Sequence, residues 1–213
     1  MDAVPAVCGV IYDMDGTLTC PYFDWPKLRS DMDIPEGRGI LEFLETLPEP
    51  ERKKREAILF AYEKEAARNS KLQPGVRDVI RDLKKRGILQ AVVTNNSTLS
   101  ADTVFSMHGI AVDILVTRED GPPKPAGDLL LIAVERMGCR TDRVLYVGDS
   151  IHDVRAAEDA GIRFVLFASN PDLPQCNECI HSFSELLDLI TTKTRSHEDT
   201  KSQSKDKNKN ISG

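Results

Sequence analysis

A repeated local pattern constrains the fold of this chain more than any other feature. Four times an amphipathic stretch ends in a glycine, and a short apolar run rich in β-branched residues follows. A glycine after the last turn of a helix tolerates the left-handed conformation that ends many helices. The glycines are Gly87, Gly109, Gly138 and Gly161. The runs that follow them, predicted to be strands, are residues 88–94, 110–116, 144–147 and 164–167.

A fifth apolar run, Val7–Tyr12, precedes these four. The runs are nearly continuous in their apolar character, which is typical of strands buried on both faces of a parallel sheet. Strands that alternate with helices indicate a doubly wound α/β domain. We therefore predict an α/β fold with a doubly wound, mostly parallel five-stranded sheet of Rossmann-like type.

One region interrupts the alternation of strand and helix. It has no convincing strand pattern, and it carries three helical patterns at Trp25–Met32, Arg38–Leu47 and Glu51–Asn69. Pro48 and Pro50 separate the last two, because proline disfavours helix at the preceding residue. These helical patterns together are too long for a simple crossover connection between two strands. We therefore predict a separate small helical domain.

The chain is thus predicted to have three parts. Residues 1–16 and 73–190 form the α/β core, and residues 17–72 form the small helical domain. Residues 191–213 hold one aliphatic residue, Ile211, among polar and charged ones. Such a segment buries too little apolar surface to offset its ordering entropy, so we expect a disordered tail.

The composition argues against several classes of function. The formal net charge is −6 and the pI is near 5.3, so the chain as a whole lacks the excess of basic residues that nucleic-acid binding requires. No apolar run approaches the roughly 18 residues that span a bilayer, and the N-terminus lacks the basic region of a signal peptide. An odd number of cysteines in a chain too large to need disulfide staples favours a reducing compartment. We expect a cytoplasmic protein that binds neither nucleic acid nor membranes; the oligomeric state stays open.

Polar side chains follow the predicted strands at the end where open parallel sheets bind ligands. They are Asp13 and Asp15 after the first strand, Thr94 and Asn95 after the second, Lys124 after the third, and Asp149 and Asp153 after the fourth. Crowded carboxylates raise each other's pKa unless a cation lies between them. Hard oxygen ligands with room for water suit Mg²⁺, and the shortage of thiolates and imidazoles argues against zinc.

Four segments of the chain resemble, in order and spacing, the motifs of the haloacid dehalogenase-like hydrolases. They are Asp13-Met14-Asp15-Gly16-Thr17, Thr94, Lys124 and Gly148-Asp149-Ser150-Ile151-His152-Asp153. The resemblance covers about residues 6–190. The dehalogenases of the family lack the second aspartate, so Asp15 favours phosphoryl transfer. The predicted helical domain matches the position of the family's cap, and the layout resembles phosphoglycolate phosphatases.

The resemblance implies a role for each aspartate of the first motif. Asp13 would be the nucleophile and would form an aspartyl-phosphate. Asp15 would protonate the leaving oxygen and then deprotonate the attacking water. Thr94 and the backbone at Asn95 would hold the phosphoryl group, and Lys124 would neutralise its charge.

The resemblance also implies a metal site. Mg²⁺ would be bound by Asp13, the main-chain carbonyl of Asp15, and Asp149. Asp153 would bind the metal directly or orient its waters. Thr17 is expected to hydrogen-bond nearby backbone, and the side chains of Asn95 and Asn96 are interpreted as turn formers.

The predicted function is Mg²⁺-dependent hydrolysis of a small-molecule phosphate monoester. Two alternatives remain open: a phosphomutase of a sugar phosphate, and a non-catalytic phosphate-binding module on the same fold. Candidates for substrate contact in the helical region are Tyr22, Phe23, Trp25, Arg29 and Arg38. Cys176 and Cys179 with His181 resemble half of a zinc site and are interpreted as a loop with free thiols.

Overall fold

The computed structural model describes residues 7–168 and 178–190. Its sheet has six strands in the order β3-β2-β1-β4-β5-β6, and every neighbouring pair is parallel. The strands are β1 (Gly9–Tyr12), β2 (Leu89–Val93), β3 (Ile114–Val116), β4 (Val144–Gly148), β5 (Arg163–Phe167) and β6 (Cys179–Ile180). The predicted parallel α/β sheet is confirmed, with one strand more than expected. The extra strand, β6, has two residues, too few for an apolar pattern to reveal.

Helices connect the strands across both faces of the sheet. They are α4 (Val76–Lys85), α5 (Thr98–His108), α6 (Asp128–Met137) and α7 (Ile151–Ala160). A short 3₁₀ helix spans Thr141–Arg143, and residues 183–190 are helical. The four glycines that predicted helix ends all have positive φ, between 58° and 70°. The prediction that they end helices is therefore confirmed.

The apolar core forms two layers, one on each face of the sheet. Along β1, Val10 and Tyr12 belong to one buried cluster and Ile11 to the other. The first cluster includes Leu83 of α4, and the second includes Leu129 of α6. Burial on both faces explains the nearly continuous apolar strands, and it leaves the strand ends as the place for polar chemistry.

Residues 17–72, called the helical segment below, lie between β1 and α4. They contain α1 (Trp25–Asp31), α2 (Ile40–Glu45) and α3 (Glu49–Asn69). These helices share an apolar cluster of Leu28, Met32, Ile34, Leu44 and Leu59. Isolated β-bridges join Thr19 to both Asp15 and Leu72, so the two ends of the helical segment lie side by side next to the first motif. The division of the chain into core and helical domain stays a prediction.

Cysteine pairing differs from the expectation of a reducing compartment, in which disulfides are rare. A disulfide joins Cys8, just before β1, to Cys139, just after α6, across 131 positions of sequence. Cys20 and Cys179 are free. Cys176 of the half zinc site and the tail predicted to be disordered lie outside the described residues. Among the helices of residues 7–168 and 178–190, none is both long and apolar enough to cross a bilayer.

Candidate active site

Loops that follow three strands meet at one buried lysine. Lys124 Nζ lies 2.5 Å from Asp13 Oδ1, although 111 positions separate the two residues. The same nitrogen lies 2.6 Å from Asp153 Oδ1. These contacts join the loops after β1 and β3 to the first turn of α7, which follows β4, as the positions of the residues after their strands predict.

Three carboxylates form a cluster around this point. Asp13, Asp149 and Asp153 each offer an oxygen, and these oxygens lie within 4.8 Å of one another. Burial raises the pKa of Asp13, and the charges of the other two aspartates raise it further against the opposing charge of Lys124. Burial and the charge of Asp153 raise the pKa of Asp149 to about 7. The cluster thus holds more negative charge than one lysine offsets, and its donor set fits a hard divalent cation.

Lys124 and Asp153 form the charged pair within the cluster. Burial alone would lower the pKa of Lys124, but the charges of Asp13 and Asp153 raise it above its ordinary value. Burial alone would likewise raise the pKa of Asp153, but its contacts with Lys124 lower it. Both groups are therefore charged at neutral pH.

Tyr146, in β4, is a member of the site that the sequence pattern did not reveal. Its hydroxyl donates to Asp153 Oδ1 at 2.5 Å and accepts from Lys124 Nζ at 3.0 Å. Tyr146 is fully buried, and tyrosine within an apolar strand is as typical of a plain core position as of a site. The only available signal was its hydroxyl group, since a buried tyrosine hydroxyl needs a partner.

Asp15 lies in different surroundings from the cluster. Asn96 Nδ2 donates to Asp15 Oδ2 at 2.5 Å. Burial raises the pKa of Asp15 to about 6; the hydrogen bond from Asn96 opposes this shift, and the charge of Glu63 adds to it. A carboxyl group with such a pKa can both give and take a proton near neutral pH.

The loop after β2 serves as a connector. The Asn95 side chain exchanges two hydrogen bonds with the backbone of Lys124: Nδ2 donates to the carbonyl at 2.9 Å, and Oδ1 accepts from the N–H at 2.8 Å. Thr94 is buried, and its Oγ1 accepts from the N–H of Asn96 at 3.1 Å. The interpretation of Asn95 and Asn96 as turn formers was therefore incomplete, because one side chain holds Lys124 and the other holds Asp15. Phosphate binding by Thr94 and the Asn95 backbone stays a prediction.

Gly16, Thr17 and Ser150 fix the positions of Asp149 and Asp153. Thr17 Oγ1 donates to Asp149 Oδ1 at 3.3 Å, whereas the sequence had suggested a backbone partner. Gly16 has a φ of +90°, and a Cβ there would lie 2.1 Å from Asp149 Oδ2. Ser150 and Asp153 form a capping box at the start of α7, with Ser150 Oγ 2.5 Å from Asp153 Oδ2.

A cavity of about 470 Å³ lies between the helical segment and the loops after β2 and β3. Ser97 and Pro123 line it, and they directly adjoin Asn96 and Lys124 in the chain. Its apolar lining consists of Leu41, Leu44, Leu59, Phe60, Leu99 and Pro123. The cavity therefore adjoins the loops after β2 and β3, in which Asn96 contacts Asp15 and Lys124 contacts Asp13.

The five side chains suggested for substrate contact do not appear among the described residues that line this cavity. Phe23 stacks on Trp25 with ring centroids 4.7 Å apart. Tyr22 donates to Glu65 at 3.2 Å, and Arg29 donates to the carbonyl of Pro35 at 2.8 Å. Those contacts lie within the helical segment and not at the cavity. The residues of the helical segment that line the cavity belong to α2 and α3.

Comparisons with known proteins agree with this fold. The family model of the haloacid dehalogenase-like hydrolases matches residues 32–167, which include Thr94, Lys124, Asp149 and Asp153. An uncharacterized hydrolase of Saccharomyces cerevisiae is 33% identical over 195 residues, covering 85% of this chain and 89% of that protein. A phosphoglycolate phosphatase of Vibrio vulnificus is 32% identical over 176 residues, covering 74% and 75%.

The fold also matches solved structures. A hydrolase from Pseudomonas syringae superposes with a TM-score of 0.74 at 19% identity, covering 87% of this chain and 98% of that one. At this identity the likeness supports the fold alone. The family match over more than half of the chain, together with the yeast relative, decides the family. The chain belongs to the haloacid dehalogenase-like hydrolases, in their phosphatase branch.

Proposed function

We propose that this chain hydrolyses a small-molecule phosphate monoester with Mg²⁺, through a phosphorylated intermediate on Asp13. The observation that carries the proposal is the contrast between two aspartates of one motif. Asp13 lies against Lys124 in a cluster of carboxylates. Asp15 lies against the neutral amide of Asn96, and the pKa of Asp15 is about 6. Different surroundings for two nearby carboxyls support different roles in acid–base chemistry.

In the first step an oxygen of Asp13 attacks phosphorus, and the bond from phosphorus to the ester oxygen breaks. Protonated Asp15 gives its proton to that oxygen, so the alcohol leaves neutral. In the second step water attacks phosphorus, Asp15 takes the proton of the water, and the bond from phosphorus to Asp13 breaks. Phosphate leaves, and Asp13 and Asp15 return to their starting states.

Two contacts of Lys124 suit this chemistry. Its ammonium group lies against Asp13, so it can neutralise charge that collects on the phosphoryl oxygens as the bond forms. Its contacts with Asp153 and Tyr146 fix the ammonium group before substrate binds, which avoids reorganisation during the reaction.

The three clustered carboxylates would hold Mg²⁺, and the carbonyl of Asp15 is a further proposed ligand. The fit rests on three oxygens within 4.8 Å of one another and on the raised pKa values of Asp13 and Asp149, since crowded carboxylates favour a cation. A bound Mg²⁺ would supply positive charge to the phosphoryl oxygens.

The cavity beside the helical segment is the proposed place for the leaving group. Its wall combines leucine and phenylalanine side chains with charged residues, among them Glu45 and Arg52. A leaving group with an apolar face would match such a wall. The named phosphatases among the relatives act on phosphoglycolate and on N-acetylmuramic acid 6-phosphate, which leaves the substrate of this chain to be found by experiment.

The proposal is tested by phosphate release from an aryl phosphate and from a panel of phosphorylated metabolites. We expect release that requires Mg²⁺, is abolished by a chelator, and is lost in Asp13→Asn. Asp102→Asn is the matched control, because Asp102 is an exposed carboxylate on α5. Equal rates in wild type and Asp13→Asn would refute the role of Asp13. Isomerised hexose phosphate without free phosphate would favour the phosphomutase, and no turnover of any compound would favour the binding module.

A further inference from the structure

Glu63 is a buried carboxylate far from the motifs in sequence. It lies on α3, with a relative exposure of 1%. The buried residues of this helix are Leu59, Glu63, Ala66 and Ala67, so the glutamate occupies the middle of the buried face. A charge in such a position is costly unless it is paired, and its partners therefore indicate what it does.

All the side-chain partners described for Glu63 lie in the loops after β2 and β3. Its carboxylate forms a partly buried ion pair with both terminal nitrogens of Arg118, one of them 3.2 Å from Oε2. Its Oε2 also accepts from Ser97 Oγ at 2.9 Å. Ser97 is the N-cap of α5, where the helix dipole favours a negative charge. The Glu63 side chain thus joins the helical segment to both of these loops.

Arg118 continues the contact toward the active site. Its Nη1 donates to the carbonyl of Asn95 at 3.0 Å. Asn95 holds the backbone of Lys124 through two hydrogen bonds, and Lys124 Nζ contacts Asp13. A continuous series of direct contacts therefore runs from α3 to Asp13.

We propose that Glu63 is a positioning residue, which holds the Asn95–Lys124 contact in place through Arg118. The helical segment thereby sets the position of the lysine against Asp13. This inference rests on the proposed function for its kinetic effect. The contacts themselves can be tested without any activity.

The chain offers a matched pair of control residues. Arg55 is on the same helix and is 18% exposed, close to the 21% of Arg118. Its polar contacts are with Glu51, Asp33 and the carbonyl of Met32, all within the helical segment. Removing that ion pair disturbs the helical segment without touching the loops around Lys124.

The experiment compares Glu63→Gln and Arg118→Lys with Glu51→Gln and Arg55→Lys in the full chain. Lysine keeps the charge opposite Glu63, but it lacks the fork that reaches both Glu63 and Asn95. For the first pair we expect kcat to fall about tenfold, as for a lost hydrogen bond to a charged group. KM for a small aryl phosphate should stay unchanged in Glu63→Gln, whereas Arg118 also lines the cavity, so only kcat is compared for Arg118→Lys. The control pair should keep the kcat of the wild type. If Glu63→Gln does not fold, Arg118→Lys decides.

Amide hydrogen exchange gives a readout that does not depend on activity. Exchange in residues 94–97 and at the amides of Lys124 and Ala126 should become faster in Glu63→Gln and Arg118→Lys and should stay unchanged in the control pair. A kcat within about twofold of wild type in folded variants, with unchanged exchange, would overturn the inference, since one hydrogen bond is expected to count for more. An equal loss in Arg55→Lys would also overturn it. A wild type that releases no phosphate would instead refute the proposed function, while exchange would still test the contact.

Discussion

The side-chain amide of Asn96 lies 2.5 Å from a carboxylate oxygen of Asp15, across 81 positions of sequence. This hydrogen bond orients the proposed acid and base from a neighbouring loop, and it opposes the rise in the pKa of Asp15 that burial causes. The two loops are therefore joined at the group that moves the proton as well as at the lysine.

Replacing Asn96 with alanine should slow the reaction without unfolding the protein. A hydrogen bond to a charged group is worth about 1.5–3 kcal/mol, which corresponds to roughly a 10- to 100-fold loss of kcat. Steady-state kinetics on an aryl phosphate would measure the loss. Asn69→Ala is the control, because Asn69 donates to the carbonyl of Glu65 on α3. A kcat equal to that of wild type in Asn96→Ala would contradict the assigned role of this contact.

Gly16 should tolerate no side chain. A Cβ there would meet Asp149 Oδ2 at 2.1 Å, whereas Gly37, which also has positive φ, has nothing within 4 Å of such an atom. Both substitutions to alanine pay about 1–2 kcal/mol for the left-handed backbone. Only Gly16→Ala should displace Asp149, so we expect it to lose more than about tenfold in activity and in apparent Mg²⁺ affinity. Phosphate release titrated with Mg²⁺ distinguishes the two, and equal Mg²⁺ dependence in both variants would count against the metal role of Asp149.

The sequence pattern was sufficient for the sheet and for the loops that carry the acids. Apolar runs and glycine ends predicted five of the six strands, and the strand ends predicted that Asp13, Lys124 and Asp153 would meet. Such features are local, because each depends on a few neighbouring residues and on the general rule for parallel sheets.

What the sequence did not reveal depends on how distant elements pack. Glu63 lies in a helix rich in charged residues, and most glutamates in such a helix face solvent. Tyr146 looks like a core residue of β4, and Cys8 and Cys139 are too far apart in sequence to suggest a pair. The sequence suggests Tyr22, Phe23, Trp25, Arg29 and Arg38 for substrate contact, whereas the helical segment's share of the cavity wall comes from α2 and α3. In each case the decisive fact is which faces of two helices or strands meet.

The apolar wall of the cavity should contribute to substrate choice. Leu99 is 60% exposed and lines the cavity, while Leu131, which is 45% exposed on α6, is not among its lining residues. Leu99→Ala should raise KM about fivefold for a phosphate ester with an apolar leaving group, as expected for about 1 kcal/mol of lost burial. Leu131→Ala should leave KM unchanged. Equal KM values for the two variants across aryl and alkyl phosphates would rule out this wall as the leaving-group site.

The most direct test of the central claim is chemical trapping of the phosphorylated residue. The protein is mixed with Mg²⁺ and a phosphate ester that it hydrolyses, and the reaction is quenched in acid. Reduction with borohydride then converts an aspartyl-phosphate to homoserine. Peptide mass spectrometry should find homoserine at position 13 and unchanged aspartate at position 15. It should find no homoserine when substrate is omitted. It should also find none when the Asp15→Asn variant, which cannot supply the proton, is given an ester with a poor leaving group. Rapid turnover with unmodified Asp13, or homoserine at another position, would contradict the proposed nucleophile.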